Sequence, residues 1–345
     1  EPEVARVLAI QLAAKICDAM SPPYVVEGQA VDVAGSIGIA LFPEHGLDWQ
    51  TLMRRADSAM YAAKGRRSAF EVFATDLDED AAARLTLLSD LRRALAGEDE
   101  LEVFYQPKVD ARSGSCTCVE ALVRWRHPRE GLLLPGRFVT MAEQSGLIRG
   151  LGLRVLEEAL RRCRAWRDGG LNLKVAVNMS MRNLHDPSLP VHIRDLLERY
   201  GLEPSCLVIE VTESSIMADA ARTMDITGML AEMGVGLSID DFGTGYSSLA
   251  YLKRLPVSEL KIDRSFVQNM ATDENDAAIV RSTIDLGHNL GLRVVAEGVE
   301  SAEASERLAE LGCDEAQGFY LAEPMPADQC LAWLQVRERV LSAEC

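Results

Sequence analysis

The sequence predicts an α/β protein whose main domain is a (β/α)8 barrel of the TIM-barrel type, preceded by a small α+β piece. From Leu101 onward, short apolar runs alternate with amphipathic helical segments, which is typical of parallel strands joined by helical crossovers. Eight strand–helix steps occupy about 245 residues, the size of such a barrel. The chain has 345 residues, more than a usual single domain, and 48% are hydrophobic, which suffices for a large core.

The predicted barrel strands are short runs rich in Val, Ile and Leu. They cover Glu102–Gln106, Cys118–Val123, Leu173–Asn178, Leu207–Val211, Gly236–Asp240, Glu259–Ile262, Arg293–Glu297 and a stretch near Asp314–Gln317. No clear helix separates the first run from the second, so we expect an irregular first strand.

Residues 1–75 predict a small helix–hairpin–helix–strand unit. Helices are expected over Val4–Met20 and Asp48–Lys64, and the second ends before Gly65, a residue favoured just past a helix end. Between the helices, the β-prone runs Tyr24–Val26 and Val31–Leu41 flank Glu27-Gly28, a turn signal that predicts a hairpin.

The junction with the barrel is predicted to be helical. A short strand at Phe70–Phe73 closes the small unit, and the acidic stretch Asp76–Asp80 leads into a helix over Ala81–Leu95. We therefore expect residues 76–99 to be a linker helix and residues 100–345 to form the barrel domain.

Composition limits the partners. The net charge is −17 and no long Lys/Arg run occurs, which argues against binding a nucleic-acid polymer. The 8 Cys are scattered and the 5 His lack zinc spacing, which favours free thiols in a reducing cytoplasm. No signal peptide or membrane span is evident, but the chain begins with Glu, so we expect a fragment whose full-length protein could be membrane-anchored upstream.

Polar side chains stand where the predicted strands end. They are Glu120, Asn178, Glu210, Asp240, Asp241, Lys261 and Glu297. One such acid is more often a helix N-cap or a surface charge, but that alternative weakens when every run ends this way. Strand carboxyl ends share one mouth in a barrel, and crowded carboxylates need cations. Oxygen ligands without His or Cys suit Mg²⁺ or Mn²⁺, and the adjacent Asp240-Asp241 could bridge two ions.

A series of motifs then resembles one family. The blocks are Glu120-Ala121-Leu122-Val123-Arg124-Trp125 with His127-Pro128, Val177-Asn178-Met179-Ser180, Ile209-Glu210-Val211-Thr212-Glu213, Asp240-Asp241-Phe242-Gly243-Thr244-Gly245, Leu260-Lys261-Ile262-Asp263, Ala296-Glu297-Gly298-Val299-Glu300 and Gln317-Gly318-Phe319-Tyr320. In this order and spacing they resemble the EAL phosphodiesterases over nearly all of residues 100–330.

The resemblance implies metal ligands at the strand ends. It implies that one ion is held by Glu120, Asn178, Glu210 and Asp240, and that Asp240 and Asp241 share a second ion. These positions match the family's ligands for Mg²⁺ or Mn²⁺.

The resemblance also implies roles around the metal site. Glu297 would act on that site through water, and Lys261 would lie beside the attacking water as base or charge stabiliser, with Gln317 supporting it. Glu213 matches the glutamate that holds the loop Asp241–Ser248, where two glycines permit a tight backbone path.

Two further positions resemble ligand contacts. Gln106 matches one of them, with a buried structural amide as its alternative. Arg124 matches the other, because a guanidinium suits a phosphate, with a surface salt bridge as its alternative. Cys118, beside the first strand-end carboxylate, is interpreted as a small core residue, with a redox-sensitive thiol as the alternative.

The activity implied is hydrolysis of cyclic di-GMP to linear pGpG by a chain that dimerises through its barrel. The alternatives are a catalytically silent cyclic di-GMP receptor and a pure interaction module. The N-terminal piece resembles the latter half of a GGDEF cyclase domain through Ser36–Ala40 and Arg55–Lys64, but it lacks the Gly-Gly-Asp/Glu-Glu-Phe signature. Cyclase activity is therefore not expected from it.

Overall fold

The computed structural model describes residues 2–22, 24–26, 29–31, 35–65, 68–97, 99–213, 216, 220–244 and 249–344. The chain divides into two compact units, Glu1–Asp90 and Leu91–Cys345. The predicted division into residues 1–75, 76–99 and 100–345 stays a prediction. Among the described helices, none combines the length and apolar character needed to cross a membrane.

The first unit contains short strands between helices. Its elements are α1 (Pro2–Met20), β1 (Tyr24–Val26), β2 (Gln29–Val31), β3 (Ile37–Ile39), α2 (Trp49–Gly65), β4 (Phe70–Val72) and the start of α3 (Thr75–Ala96). Strands β1 and β2 pair antiparallel across the predicted turn, whose residues 27–28 lie outside the described residues. The second run differs from the predicted Val31–Leu41, because β2 covers Gln29–Val31 and β3 pairs with β4. Strands β3 and β4 pair in parallel, because α2 carries the chain back between them.

Helix α3 is longer than the sequence predicted. It begins at Thr75 rather than Ala81, so the acidic stretch Asp76–Asp80 is helical. Negative side chains are favourable at a helix N-terminus, which explains why this stretch joins the helix instead of preceding it.

The second unit is built from ten strands and the helices that follow them. Its strands are β5 (Leu101–Asp110), β6 (Cys116–His127), β7 (Gly131–Leu133), β8 (Lys174–Asn178), β9 (Leu207–Thr212), β10 (Gly236–Phe242), β11 (Glu259–Ile262), β12 (Arg293–Ala296), β13 (Glu315–Ala316) and β14 (Met325–Pro326). Its described α-helices are α4 (Val139–Ser145), α5 (Ile148–Asp168), α6 (Met181–Leu184), α7 (Leu189–Tyr200), α8 (Ala220–Glu232), α9 (Leu249–Leu252), α10 (Arg264–Val267), α11 (Glu274–Asn289), α12 (Ala302–Glu310) and α13 (Ala327–Glu344).

Eight of these strands close into a barrel in the order β5-β6-β8-β9-β10-β11-β12-β13, after which β13 pairs with β5. The pairs from β6 through β13 are parallel, whereas β5 runs antiparallel to both of its neighbours. A short turn joins β5 to β6, and strands joined in that way can pair only antiparallel. The predicted barrel and its irregular first strand are both confirmed.

The barrel wall separates two kinds of packing. Outward apolar residues such as Val175 and Val177 of β8 pack with Leu156 and Leu160 of α5 in the main core. Inward residues alternate with them at every second position. Cys118, Ala176 and Val208 therefore form a separate apolar cluster inside the barrel.

The inward residues form two layers, whose members are two residues apart on each strand. The upper layer, which we call the mouth layer, contains Gln106, Glu120, Asn178, Glu210, Asp240, Lys261, Glu297 and Gln317. The lower layer contains Lys108, Cys118, Ala176, Val208, Ser238, Glu259, Val295 and Glu315, all of them buried. Asn178 is exposed and Glu297 is half-buried, so the mouth layer is the one that opens to solvent.

Candidate active site

The mouth layer takes one polar residue from each barrel strand or from the position that follows it. Parallel strands bring their carboxyl ends to one edge, which is why the strand-end residues meet. Gln106 joins them because β5 runs the opposite way and pairs with β6 so that Gln106 lies opposite Glu120. The structure thus brings together all eight of these sequence-predicted residues.

Lys261 lies among the carboxylates of the mouth layer. Its Nζ is 2.6 Å from Glu297 Oε1, 2.9 Å from Glu210 Oε2, 3.2 Å from Asp240 Oδ2 and 3.7 Å from Glu120 Oε2. The lysine is fully buried, and although burial acts against its charge, the surrounding carboxylates raise its pKa well above the ordinary value. Lys261 therefore carries its proton in this arrangement.

Amide side chains orient Glu120. Asn178 Nδ2 donates to Glu120 Oε1 at 2.6 Å, and Gln317 Nε2 donates to Glu120 Oε2 at 2.6 Å. Gln317 Nε2 also lies 2.9 Å from Gln106 Oε1, and Gln106 Nε2 donates to the carbonyl oxygen of Ala322 at 2.9 Å. Gln106 therefore has a structural hydrogen-bonding role, whether or not it also contacts a ligand.

Glu210 is held at both of its oxygens. Lys108 Nζ lies 2.5 Å from Oε1, and Lys261 Nζ lies 2.9 Å from Oε2. Burial alone would raise the pKa of Glu210, but these two lysines outweigh it and lower the pKa to about 2. Glu210 is consequently an anion across the whole physiological pH range.

Sequence reasoning missed the charged part of the lower layer. Lys108 also contacts Glu259 Oε1 at 3.0 Å, and Arg293 bridges Glu259 Oε2 at 3.2 Å and Glu315 Oε1 at 3.0 Å. The sequence did contain a signal for these residues, because every second residue of a strand points to the same face. Lys108 is two positions from Gln106, and Glu259 and Glu315 are two positions before Lys261 and Gln317, so each shares a face with a predicted site residue.

The mouth contains a cluster of three carboxylate side chains that can hold a cation, those of Asp240, Asp241 and Glu297. Each offers an oxygen, and these oxygens lie within 4.8 Å of one another. The backbone N–H of Asp241 donates to Asp240 Oδ1 at 2.9 Å. Asp241 has a φ of 56°, a left-handed conformation that is strained for most residues but tolerated by Asp. This turn places two consecutive acidic residues at the mouth.

Three carboxyl groups of the mouth have raised pKa values, mainly because they are buried. Burial raises the pKa of Glu297 to about 8 and that of Glu120 to about 7, and neighbouring carboxylates add to both effects. Burial and the charge of Asp240 raise the pKa of Asp241 to about 6. Lys261 therefore does not offset all of the negative charge, and a divalent cation fits this excess. Because the donors are carboxylate and amide oxygens, they suit a hard ion.

Glu213 contacts the loop that follows β10. Its Oε2 accepts a hydrogen bond from the backbone N–H of Gly243 at 3.0 Å. Gly243 has a φ of 99°, which glycine adopts without strain. The clamp on the loop Asp241–Ser248 stays a prediction, since residues 245–248 lie outside the described residues.

Arg124 lies further along β6, on the same face as Glu120. Its Nη1 donates to the carbonyl oxygen of Val123 at 2.9 Å, and its guanidinium lies 5.5 Å from the ring centroid of Phe104. Burial lowers the pKa of Arg124, against the charge of Glu120. The structure thus places Arg124 beyond the mouth layer, where it can reach a ligand larger than a single ion.

An eight-stranded barrel with an acidic mouth defines the class of this protein as an α/β barrel of the TIM type with a strand-end site. The family model for the EAL domain matches residues 88–324, and the chain belongs to this family. A second model, described as diguanylate cyclase, GGDEF domain, matches residues 3–69. Both resemblances seen in the sequence motifs are confirmed.

Similar proteins carry phosphodiesterase names. MucR of Pseudomonas aeruginosa, called a bifunctional diguanylate cyclase/cyclic di-GMP phosphodiesterase, is 49% identical over 326 residues, which are 94% of this chain and 47% of MucR. PdeR of Escherichia coli, a cyclic di-GMP phosphodiesterase, is 38% identical over 93% of this chain and 49% of PdeR. The chain thus spans about half the length of these relatives.

A solved structure matches the barrel unit. It is described as PaMucR phosphodiesterase, c-di-GMP complex, and it is 52% identical with a TM-score of 0.68. The match covers 71% of this chain and 99% of that chain.

Proposed function

We propose that this chain hydrolyses cyclic di-GMP to linear pGpG in bacterial second-messenger signalling, and that the reaction depends on divalent metal ions. The observation that carries the proposal is the mouth layer, in which four carboxylates and three amides from seven barrel strands gather around Lys261 of the eighth. Membership of the EAL family and the names of the relatives support the same reaction.

Asp240, Asp241, Glu120, Asn178 and Glu210 are the residues that would hold Mg²⁺ or Mn²⁺, as a pair of ions. When bound, such ions lower the pKa of water and offset charge on phosphoryl oxygens. Glu297 is the third member of the carboxylate cluster with Asp240 and Asp241, which supports its assignment to the edge of the metal site.

The protein's own groups contribute orientation and charge. Lys261 keeps its proton among four carboxylates, which favours charge stabilisation over action as a base. Gln317 and Asn178 fix the carboxylate of Glu120 by hydrogen bonds to both of its oxygens. Such preorganised groups lower the barrier because they need no rearrangement during the reaction.

The same proposal includes a location and a subunit arrangement. The described cysteines are free thiols, which supports a reducing cytoplasm. We propose a homodimer through the barrel domain, for which analytical ultracentrifugation is the direct measurement. Residues 1–75 lack the Gly-Gly-Asp/Glu-Glu-Phe signature, so we assign no cyclase activity to them.

The test is to incubate the purified chain with cyclic di-GMP plus Mg²⁺ or Mn²⁺ and to follow the products by chromatography. Three proteins are compared, namely wild type, Glu120→Ala and Glu158→Gln. Glu158 lies on α5, outside the barrel, and pairs with arginines of the same helix, so it is the matched acidic control.

We expect wild type and Glu158→Gln to form linear pGpG and Glu120→Ala to form none. A parallel titration measures nucleotide binding. Tight binding without turnover in either metal would overturn the enzyme proposal and favour a silent receptor. Neither binding nor turnover would favour an interaction module.

A further inference from the structure

Lys108 is a buried charge that the proposed reaction does not yet use. It lies in the lower layer, its side chain is 0% exposed, and its ammonium contacts two carboxylates, those of Glu210 and Glu259. A lysine is almost never buried without paired charges, and each of its partners is buried as well. Because burying charged groups costs free energy, we ask what this ion pair inside the barrel contributes.

Lys108 approaches Glu210 from the side away from the mouth. It is two residues beyond Gln106 on β5, and β5 runs away from the mouth, so Lys108 lies one layer deeper. Its Nζ donates a hydrogen bond to Glu210 Oε1, while Nζ of Lys261 in the mouth layer donates to Oε2. The carboxylate of Glu210 is therefore fixed in rotation, with one oxygen directed down and one directed toward the mouth.

Glu259 has a second cationic side chain beside it, in addition to Lys108. Its second oxygen lies 3.2 Å from Nη2 of Arg293, which also pairs with Glu315. Glu210, by contrast, pairs with only the two interior lysines within the described part of the barrel. If Lys108 were removed, Lys261 alone would face Glu210, and both carboxylate oxygens would be free to turn toward it.

We propose that Lys108 is a positioning residue, which holds one oxygen of Glu210 from below so that the other faces the cation site at the mouth. The inference rests on the proposed metal-dependent function, because Glu210 is one of the residues assigned to the ions. Lys108 touches neither substrate nor metal and acts only through Glu210. Its contribution is to metal affinity, and the affinity for cyclic di-GMP is not expected to depend on it.

The test uses three variants of the whole chain and direct Mn²⁺ titration by calorimetry. Lys108→Met removes the ammonium and keeps the length of the side chain. Glu259→Gln keeps the contact between Lys108 and Glu210 and removes the other acid. The double variant removes both partners of the lower ion pair, so its charge is balanced, but Glu210 stays unclamped. Circular dichroism and urea unfolding show that each protein is folded.

Loss of a group that orients a metal ligand weakens metal binding by about 10- to 100-fold. We expect a loss of this size in Lys108→Met and in the double variant, and a change below about threefold in Glu259→Gln. In hydrolysis assays the loss appears in the Mn²⁺ concentration needed for half activity, with the KM for cyclic di-GMP unchanged. If Lys108→Met alone fails to fold, the Mn²⁺ affinity of the charge-balanced double variant tests the inference.

Several outcomes would overturn the inference. Wild-type Mn²⁺ affinity in Lys108→Met or in the double variant would mean that Lys108 only balances Glu259. Absence of Mn²⁺ binding by wild type would remove the site that Lys108 is said to serve. If wild type binds Mn²⁺ but does not hydrolyse cyclic di-GMP, the proposed function fails. The Mn²⁺ affinities of the variants still test whether Lys108 positions Glu210.

Discussion

Raising the pH from about 6 to about 8 is expected to destabilise the barrel when divalent ions are removed. The groups responsible are Glu120 and Glu297, whose pKa values are raised from 4.5 to about 7 and about 8. Between the unfolded and the folded pKa, the folded protein binds a proton that the unfolded chain has lost. Stability then falls as the pH rises, which is the opposite of what a salt-bridged acid gives.

The magnitude follows from one proton per group. Each such proton changes the free energy of unfolding by about 1.4 kcal/mol per pH unit. Glu120 and Glu297 both contribute from about pH 6 to 7, and Glu297 alone contributes from about pH 7 to 8, which totals about 4 kcal/mol. Glu210, with a pKa of about 2, is ionised in both states over this range and adds nothing.

The assay is urea unfolding followed by tryptophan fluorescence in EDTA or in saturating Mg²⁺. Trp125 and Trp166 are buried in the barrel unit, whereas Trp49 of the first unit is 71% exposed, so the change in emission reports mainly the barrel. Under the proposed metal dependence, Mg²⁺ would bind the ionised carboxylates and stabilise the folded state, so its effect should be larger at high pH.

Glu297→Gln serves as the matched control, because it keeps the shape of the side chain and removes its titration. In EDTA it should abolish the fall in stability between about pH 7 and 8 and reduce the fall between about pH 6 and 7 to roughly half, the share of Glu120. A free energy of unfolding that stays flat or rises from about pH 6 to 8 in EDTA would refute the reasoning. So would an effect of Mg²⁺ that is equal at both pH values.

Four further predictions concern positions around the barrel. A Cβ on Gly287 of α11 would lie 2.3 Å from a methyl carbon of β12, so Gly287→Ala should lower the free energy of unfolding by about 1–3 kcal/mol. Gly228→Ala in α8, where the added Cβ meets nothing within 4 Å, should raise it by up to about 1 kcal/mol; equal urea midpoints would contradict both. Glu213→Ala removes the acceptor of the loop N–H and should slow hydrolysis about tenfold or more, with Glu213→Gln retaining more activity because it keeps an acceptor oxygen. Burial raises the pKa of the Cys118 thiol well above its ordinary value, so iodoacetamide should leave Cys118 unmodified in the native protein while it alkylates the partly exposed Cys17; mass spectrometry distinguishes them.

The mouth layer could be predicted from the sequence because two independent patterns agree there. Apolar runs mark the strands, and a polar residue at the end of each run marks the shared edge. Asn178 and Asp240 illustrate this, since each ends an apolar run and each reaches the mouth. The antiparallel direction of the first strand was also accessible, since no helix separates β5 from β6.

The contacts inside the mouth could not be predicted in the same way. Strand ends show that Lys261 joins the carboxylates, but not that it lies within 3.2 Å of three of them. Such distances depend on barrel stagger and on side-chain conformation. The role of Lys261, as base or as charge stabiliser, therefore stays a prediction that its position in the sequence cannot decide.

Charged residues inside strands are the part that sequence reasoning overlooks, because they are read as solvent-facing positions. Lys108 and Glu259 are of this kind, and both prove to be buried inside the barrel. Their placement requires space, which the lower layer supplies through small side chains such as Cys118 and Ala176. The ammonium of Lys108 reaches from β5 to Glu210 of β9 and Glu259 of β11, so its stem crosses the barrel interior in the same layer as this cluster of small side chains. The sequence alone does not show such a crossing, because it depends on which inward positions of the other strands leave room for a long side chain.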